Sequence, residues 1–570
     1  MKFKVDGRIF IVGGLLTVLG LVILGRLFFL QVVSANYYQT LAERQHLASL
    51  DLTPRRGSIF LKEKDGGLFP VANTKSGFFL FIDPRRIDDA EKYFKELSAV
   101  VPGLDREDFL ERASKKYDPF EVVARRLRTE EAEEAEELGL AGVGISSEEW
   151  RFYPARELAS TVVGFTGYKG DDIVGRAGIE YFEEAILKGE ENYVNGRRTL
   201  AGTFLDWGKR LFPGTNPTHD IVLTIEPQAQ MLLEKILNKT REKLDAENAG
   251  GIVIDPKTGR ILAMAASPSF DPNKYNEVKS PGVFVNPMVE HIYELGSVFK
   301  PLTMAAGLDT GSVSPETTYN DQGYLVIDGR RIENYDGKGR GEVDMQHVLN
   351  ESLNTGAVFV MRQMGRDNLK RYFEKYGFYE KSGIALPGEV AGNLSNLESG
   401  REVEFATAAF GQGAAVTPLA FARAISSLAN GGKLVRPFII DRVLVDGAPD
   451  AVTEPEIKEG VLSPETSEEI TRMLVKVVDE ALVGGTVKNE RYSIAAKTGT
   501  AQMPDPNGGG YADYFLHSFF GYAPAFDAKF AVFLFVTKPK GVRFASQTLT
   551  GPFMEIMDFL LSYYNIPPDR

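Results

Sequence analysis

The apolar pattern of the chain changes character twice. From Ile9 to Val33 the run IFIVGGLLTVLGLVILGRLFFLQVV is apolar all round, broken only by Arg26 and a few small polar residues. As a helix it spans roughly 37 Å at ~1.5 Å per residue, enough to cross a hydrocarbon core of about 30 Å with some tilt. Lys2, Lys4 and Arg8 precede it, and positive charge on that side keeps the N-terminus in the cytoplasm and sends the chain beyond Val33 across the membrane. A signal peptide cleaved near Val33 and Ala35 is the rival, but an apolar stretch of this length with an arginine inside it favours a retained anchor. The expectation is a tail at 1–8, an anchor at 9–33 and a single exported portion.

From 34 to about 215 the pattern is mixed and rich in charge. Within it RTEEAEEAEELGL (128–140) predicts a solvated helix with Thr129 as N-cap and Gly139 near its C-terminus. Near Asp220 the pattern changes again. DIVLTIEP predicts a strand and QAQMLLEKILNKTREKL a helix, while GGIVID and RILAMAAS predict two strands joined by a turn at Asp255-Pro256-Lys257-Thr258-Gly259. Helical segments come next, then two apolar strands at 517–525 and 530–539 and a closing helix at 551–563. A helical middle between β ends predicts an α/β or α+β domain over 216–570.

Composition narrows the function classes. A net charge of -13 without a dense Lys/Arg block argues against nucleic-acid binding. The absence of Cys removes disulfides and thiolate metal sites and leaves the compartment open. No G-x-S-x-G elbow, H-E-x-x-H motif or Walker A loop occurs, and there are five His, so histidine-based, zinc and phosphate chemistry all lose ground.

A serine can instead be activated by lysine. In ELGSVFKP (294–301) Ser297 and Lys300 lie three residues apart, the only Ser-x-x-Lys spacing in the chain. On a helix beginning near Gly296 they share one face, with Ser297 at the N-terminal end where backbone N–H groups and the dipole favour an oxyanion. A neutral Lys300 takes the serine proton. NESLNTG supplies Ser352 and Asn354 in what the pattern predicts to be a turn between helices. Lys-Ser/Thr-Gly occurs at Lys75, Lys257, Lys381 and Lys497. Lys75 and Lys257 precede the nucleophile and are expected in the wrong element types, and Lys381 is expected in a loop. Lys497-Thr498-Gly499 alone comes later in order on a predicted strand edge.

The ordered set Ser297/Lys300, Ser352/Asn354, Lys497-Thr498-Gly499 resembles the penicilloyl serine transferases. Ser-Leu-Asn in place of the Ser-Asp-Asn of class A β-lactamases, and the length of the chain, favour a penicillin-binding protein. LTPRRGSIF (52–60), RFYPARELASTVVGFTG (151–167), GRAGIEYFEEAILKG (175–189), LTIEPQAQ (223–230) and FGQGAAVTPLAFARAISSLANGG (410–432) resemble blocks of class B members, the monofunctional peptidoglycan D,D-transpeptidases.

The resemblance implies a membrane-anchored multidomain α+β protein. A β-lactamase-like transpeptidase domain (216–570), its mainly antiparallel sheet flanked by helices, would sit on an elongated pedestal of the dimerisation type (34–215). It also implies Ser297 as the nucleophile toward D-Ala-D-Ala stem peptides, Lys300 as its base and Ser352 as proton relay. Asn354 would hold the substrate amide and Lys300, and Lys497 would supply positive charge. Thr498 and Thr500 would meet the substrate carboxylate, Gly499 would let the substrate backbone approach, and Ser297 and Thr500 N–H groups would form the oxyanion hole. No metal or organic cofactor is implied. The implied partners are lipid-linked precursor strands, covalently inhibitory β-lactams, the membrane and a polytopic glycosyltransferase of the SEDS family. VVGFTG and GSVFKPLTMAAGL are closer to the division than the elongation type. A D,D-carboxypeptidase, with water as acceptor, fits the same motifs. So does a non-catalytic envelope scaffold or β-lactam sensor, although a sensor needs a cytoplasmic output domain and eight residues precede the anchor.

Overall fold

The computed structural model describes Gly20 and residues 56–170, 172–189, 219–444, 450–505, 508 and 510–570. The predicted anchor, Gly20 apart, and the predicted boundary near 215 lie outside the described residues. Among the described residues no helix is long and apolar enough to cross a membrane. The chain divides into a smaller unit containing Thr74–Trp150 and a larger one of Arg56–Asn73 with Arg151–Arg570.

In the smaller unit, residues 78–82 pair antiparallel with strand Glu121–Leu127. Helices Ala90–Val100 and Arg106–Ser114, capped by Asp89 and Asp105, send Tyr93, Leu97 and Phe109 into a core with Leu80 and Ile82. The predicted acidic helix forms over Thr129–Glu137, but Thr129 is its first helical residue and not its cap. The Glu131 carboxylate accepts the Arg128 N–H at 2.9 Å and caps the helix in its place. Lys75-Ser76-Gly77 lies within strand Leu68–Ile82, against the expectation of a different element type. Its position before Ser297, not its local structure, sets it apart from Lys497.

Three of the sequence blocks meet in the larger unit. Glu180 is fully buried and receives Arg56 Nε and Arg151 Nε at 2.6 Å each, with Tyr153 Oη donating at 3.2 Å. A buried carboxylate is tolerable only with such partners. The predicted strand at 220 forms over Asp220–Leu223, parallel to Ile59–Lys62 and antiparallel to Ile440–Leu444.

The rest of this unit is built on one antiparallel sheet. Its strands are β1 (Asn248–Ile254), β2 (Ile261–Ser267), β3 (Ala495–Pro504), β4 (Tyr511–Ala523) and β5 (Phe530–Thr537), in the order β3-β4-β5-β1-β2. The Asp255–Gly259 turn joins β1 to β2 as predicted, with Gly259 at φ +84°. The principal helices are α1 (Pro227–Lys243), α2 (Lys300–Asp309), α3 (Asn354–Met364), α4 (Pro418–Ala429) and α5 (Thr550–Tyr563). Because β5 is buried at every position, its two faces join different cores. Val532, Leu534 and Val536 meet residues of α1 and α5, while Phe533 and Phe535 belong to the core that holds α2, α3 and α4. Continuous apolar sequence, rather than alternation, is what a strand covered on both faces requires. The sheet ends at β3, whose outer edge is left for the site.

Candidate active site

Gly296–Phe299 forms a 3-10 turn that runs directly into α2. The α-helix therefore begins at Lys300, later than the predicted start near Gly296, and Pro301 falls in its first turn, where its missing N–H costs nothing. Val298 and Phe299 are fully buried, and Phe299 lies among Phe373, Phe378 and Phe421 with ring centroids 5.3–5.8 Å away. This anchoring leaves Ser297, between Gly296 and Val298, half-buried at the mouth of a cleft of about 880 Å³. Gly411 secures the turn from the other side. Its carbonyl accepts the Gly296 N–H at 3.1 Å, and with φ +81° and a hypothetical Cβ 2.2 Å from Gly296 O, no other residue fits there.

Ser352 lies in the turn between helix Met345–Asn350 and α3, as predicted, and adopts φ +55°. Lys300 Nζ donates to the Ser352 carbonyl and, at 3.2 Å, to Ser352 Oγ. Lys497 Nζ donates to the same Oγ at 3.0 Å and to Thr498 O at 3.2 Å. Both lysines are buried, and among the described residues neither forms an ion pair with a carboxylate. Burial, reinforced by the neighbouring Lys497 charge, holds Lys300 well below the usual ammonium range. Burial alone brings Lys497 down to about 8. Two ammonium groups cannot share one dry pocket without a counter-charge, so the site favours one neutral amine and one cation. Asn354 does not hold Lys300 as expected; its Nδ2 donates to Glu333 O at 2.7 Å.

Along β3, Thr498, Thr500 and Gln502 line the cleft with Lys497. Thr500 Oγ1 accepts the Ala545 N–H at 3.1 Å, which leaves the hydroxyl proton for another acceptor. Gly499 faces inward, contrary to expectation. A Cβ there would lie 2.3 Å from Ser518 Oγ and 2.6 Å from Leu295 O, so its bareness admits the Ser297 turn and not a substrate. As an edge strand, β3 offers unpaired backbone N–H and C=O groups on its outer side to an extended peptide.

Ser297, Ser352, Asn354, Lys497, Thr498 and Thr500 thus share one cleft, with Lys300 reaching Ser352 from beneath and Gly499 behind the strand. Sequence reasoning missed Tyr335, Glu351, Glu480, Val483, Arg543 and Phe544, which complete the walls. Glu351 sits inside NESLNTG beside Ser352 but was not singled out, and the others come from turns and loops with no motif of their own. The nearest signal is Gly484-Gly485, where a π-turn at Val477–Ala481 passes into a short 3-10 turn with Val483 and Gly484 in the left-handed region.

Residues 249–558 match the family model described as penicillin binding protein transpeptidase domain, and residues 51–209 match the penicillin-binding protein dimerisation domain. Stage V sporulation protein D of Bacillus subtilis is 32% identical over 94% of this chain and 82% of its own length. The peptidoglycan D,D-transpeptidase FtsI of Escherichia coli is 27% identical over 96% of this chain and 90% of its own. Among solved structures, penicillin binding protein 2X from Streptococcus thermophilus superposes with a TM-score of 0.72 at 21% identity, covering 89% of this chain and 79% of that one. That likeness concerns the fold.

Proposed function

This chain belongs to the penicillin-binding protein transpeptidase family, and from that premise and the geometry of the cleft we propose how it works. It is a serine-type peptidoglycan D,D-transpeptidase and a β-lactam target. The observation that carries the mechanism is the Ser352 hydroxyl held between Lys300 and Lys497, in the cleft also lined by the one serine that precedes a lysine by a helical turn.

Neutral Lys300 accepts the proton of Ser297 Oγ as that oxygen attacks the carbonyl carbon between the two D-Ala residues. Backbone N–H groups of Ser297 and Thr500 receive the oxyanion. The C–N bond breaks and the terminal D-Ala leaves with a proton passed from Lys300 through Ser352 Oγ, giving the acyl-enzyme. The amine of a second stem peptide then attacks the ester, its proton passes through Ser352 Oγ to Lys300 and on to Ser297 Oγ as that oxygen leaves, and the new amide is the cross-link. Asn354, its Nδ2 committed to Glu333 O, presents Oδ1 to a substrate N–H. Lys497 with the Thr498 and Thr500 hydroxyls meets the terminal carboxylate. A β-lactam acylates Ser297 by opening its ring amide.

The apolar run Ile9–Val33 after Lys2, Lys4 and Arg8 supports a single-pass anchor with the catalytic portion outside the cytoplasm. Cross-linking acts on glycan strands that a polymerising enzyme supplies, and the partner we propose for that step is a SEDS-family glycosyltransferase. The deciding experiment is fluorescent-penicillin labelling with peptide mapping, followed by cross-linking of lipid-linked substrate. Label on Ser297 that Ser297→Ala abolishes supports the reading; label on another serine overturns it.

A further inference from the structure

The helix that begins at Asn354 has no cap of its own. Its N-cap position is Leu353, fully buried and without a side-chain hydrogen bond. Ser352 and Asn354 flank it, and both are residue types that ordinarily cap helices. Here both are turned elsewhere, Ser352 to the lysines and Asn354 to Glu333 O. The N–H groups at the start of α3 still need acceptors.

The acceptor comes from the segment 318–344. Asn334 Oδ1 accepts the Thr355 N–H at 3.2 Å and lies 3.1 Å from Thr355 Oγ1. Asn334 is held in turn by Asp321, which is 2% exposed. Asn334 Nδ2 donates to both Asp321 oxygens at 3.0 Å, Gly323 N donates at 2.9 Å and Arg340 N at 3.0 Å. Thr355 Oγ1 gives its proton to Asp321 Oδ1 at 2.7 Å, so Tyr319 Oη, at 3.0 Å, is the donor to Thr355. The next residue back, Glu333, supplies the carbonyl that orients Asn354. One short segment therefore caps α3 and aims Asn354. The Arg340 guanidinium takes no part, being paired with Asp336 and Glu351.

We propose that Asp321, Asn334 and Thr355 are positioning residues for transpeptidation: Asn334, held by Asp321, caps α3 from outside, and the Thr355 hydroxyl ties the helix start to that pair, so that Ser352 and Asn354 stay available to the substrate. The proposal rests on the reading that those two side chains act in the reaction. Without the external cap, the serine or asparagine can fold back on the helix N-terminus, the competition that makes such residues good caps. Ser352 is the more vulnerable, since its left-handed backbone persists only while its surroundings impose it. A misplacement of about 1 Å in a catalytic group lowers rate up to a hundredfold.

The test uses the full chain in detergent, with a chromogenic cephalosporin as probe and active sites counted by penicillin titration. Stopped-flow kinetics separate the noncovalent affinity from the acylation step. Asn334→Ala, Asp321→Asn and the isosteric Thr355→Val should each slow acylation per active site by roughly ten- to a hundredfold with affinity within about twofold, and Thr355→Ser should restore it. If Thr355→Val and Asn334→Ala acylate within about twofold of the parent while melting earlier, the segment is scaffold only and the proposal is overturned. Where Asn334→Ala does not fold, Thr355→Val decides. Failure of the parent to label at Ser297 would sink the mechanistic reading instead, a separate result.

Discussion

Lys300 and Lys497 donate to the same oxygen, Ser352 Oγ, at 3.2 and 3.0 Å, though 197 positions separate them in the chain. The Lys497 charge disfavours a second charge on Lys300, and the two protonation states should govern the rate together.

The first prediction is a bell-shaped pH profile for acylation. Below its depressed pKa, Lys300 is an ammonium and cannot take the Ser297 proton, so the rate rises with pH through a value under the ordinary lysine range. As pH passes about 8, Lys497 loses its proton and the positive charge the substrate needs, and the rate falls. Lys497→Arg should keep the charge and move the alkaline limb upward. Stopped-flow acylation across pH checks this; an unmoved alkaline limb would assign it to another group.

Ser352→Ala removes the shared acceptor and the relay. Acylation should fall by about 10²–10⁴, the range of a lost proton-transfer group, with thermal stability near that of the parent. Acylation at the parental rate would show that protons reach the leaving nitrogen by another route.

Thr258 and Thr498 occupy identical tripeptide motifs and should respond oppositely to valine. Thr258 Oγ1 donates to Asp255 Oδ2 at 2.8 Å within the turn between β1 and β2, so Thr258→Val should cost about 1 kcal/mol of stability and leave acylation alone. Thr498 is half-buried on the cleft wall of β3, so Thr498→Val should weaken β-lactam and substrate recognition at little cost in stability. Parallel melting and acylation measurements separate the two.

Gly499→Ala should damage both fold and activity. Its methyl group would sit 2.3 Å from Ser518 Oγ and 2.6 Å from Leu295 O, an overpacking that costs roughly 1–3 kcal/mol and pushes the Ser297 turn away from β3. A lower melting temperature with slower acylation per folded molecule is expected. Slower acylation with unchanged melting would restore the view that Gly499 serves the substrate.

Glu180→Gln leaves the Arg151 guanidinium, 3% exposed, without its carboxylate, while Arg56 keeps Glu184 at 2.7 Å. A loss of about 3–5 kcal/mol is expected, read by chemical or thermal unfolding of the larger unit. Acylation per folded molecule should be unaffected, because the triad is distant in sequence and in role from the cleft. A variant as stable as the parent would mean that Arg151 finds another acceptor.

What the sequence by itself determined is whatever short-range chemistry dictates. The turn at Asp255–Gly259 is written in Pro and Gly, the closing strands in continuous apolar residues, and the Ser297/Lys300 pair in a spacing equal to one helical turn. Order along the chain distinguished Lys497 from Lys75 and Lys257, and a loop against a strand distinguished it from Lys381. Tertiary structure alone decided which backbone and side-chain groups meet across long separations. Gly499 reads the same whether its bare face meets a substrate or Leu295, and only the seating of the Ser297 turn against β3 distinguishes them. Asn354 could as well have reached Lys300 as Glu333 O. Asp321 and Asn334 carry no motif, because their work is to cap a helix that begins 20 residues beyond Asn334. A hydrogen bond needs two groups within about 3 Å, and for residues so far apart in sequence that proximity is set by the packing of the whole domain.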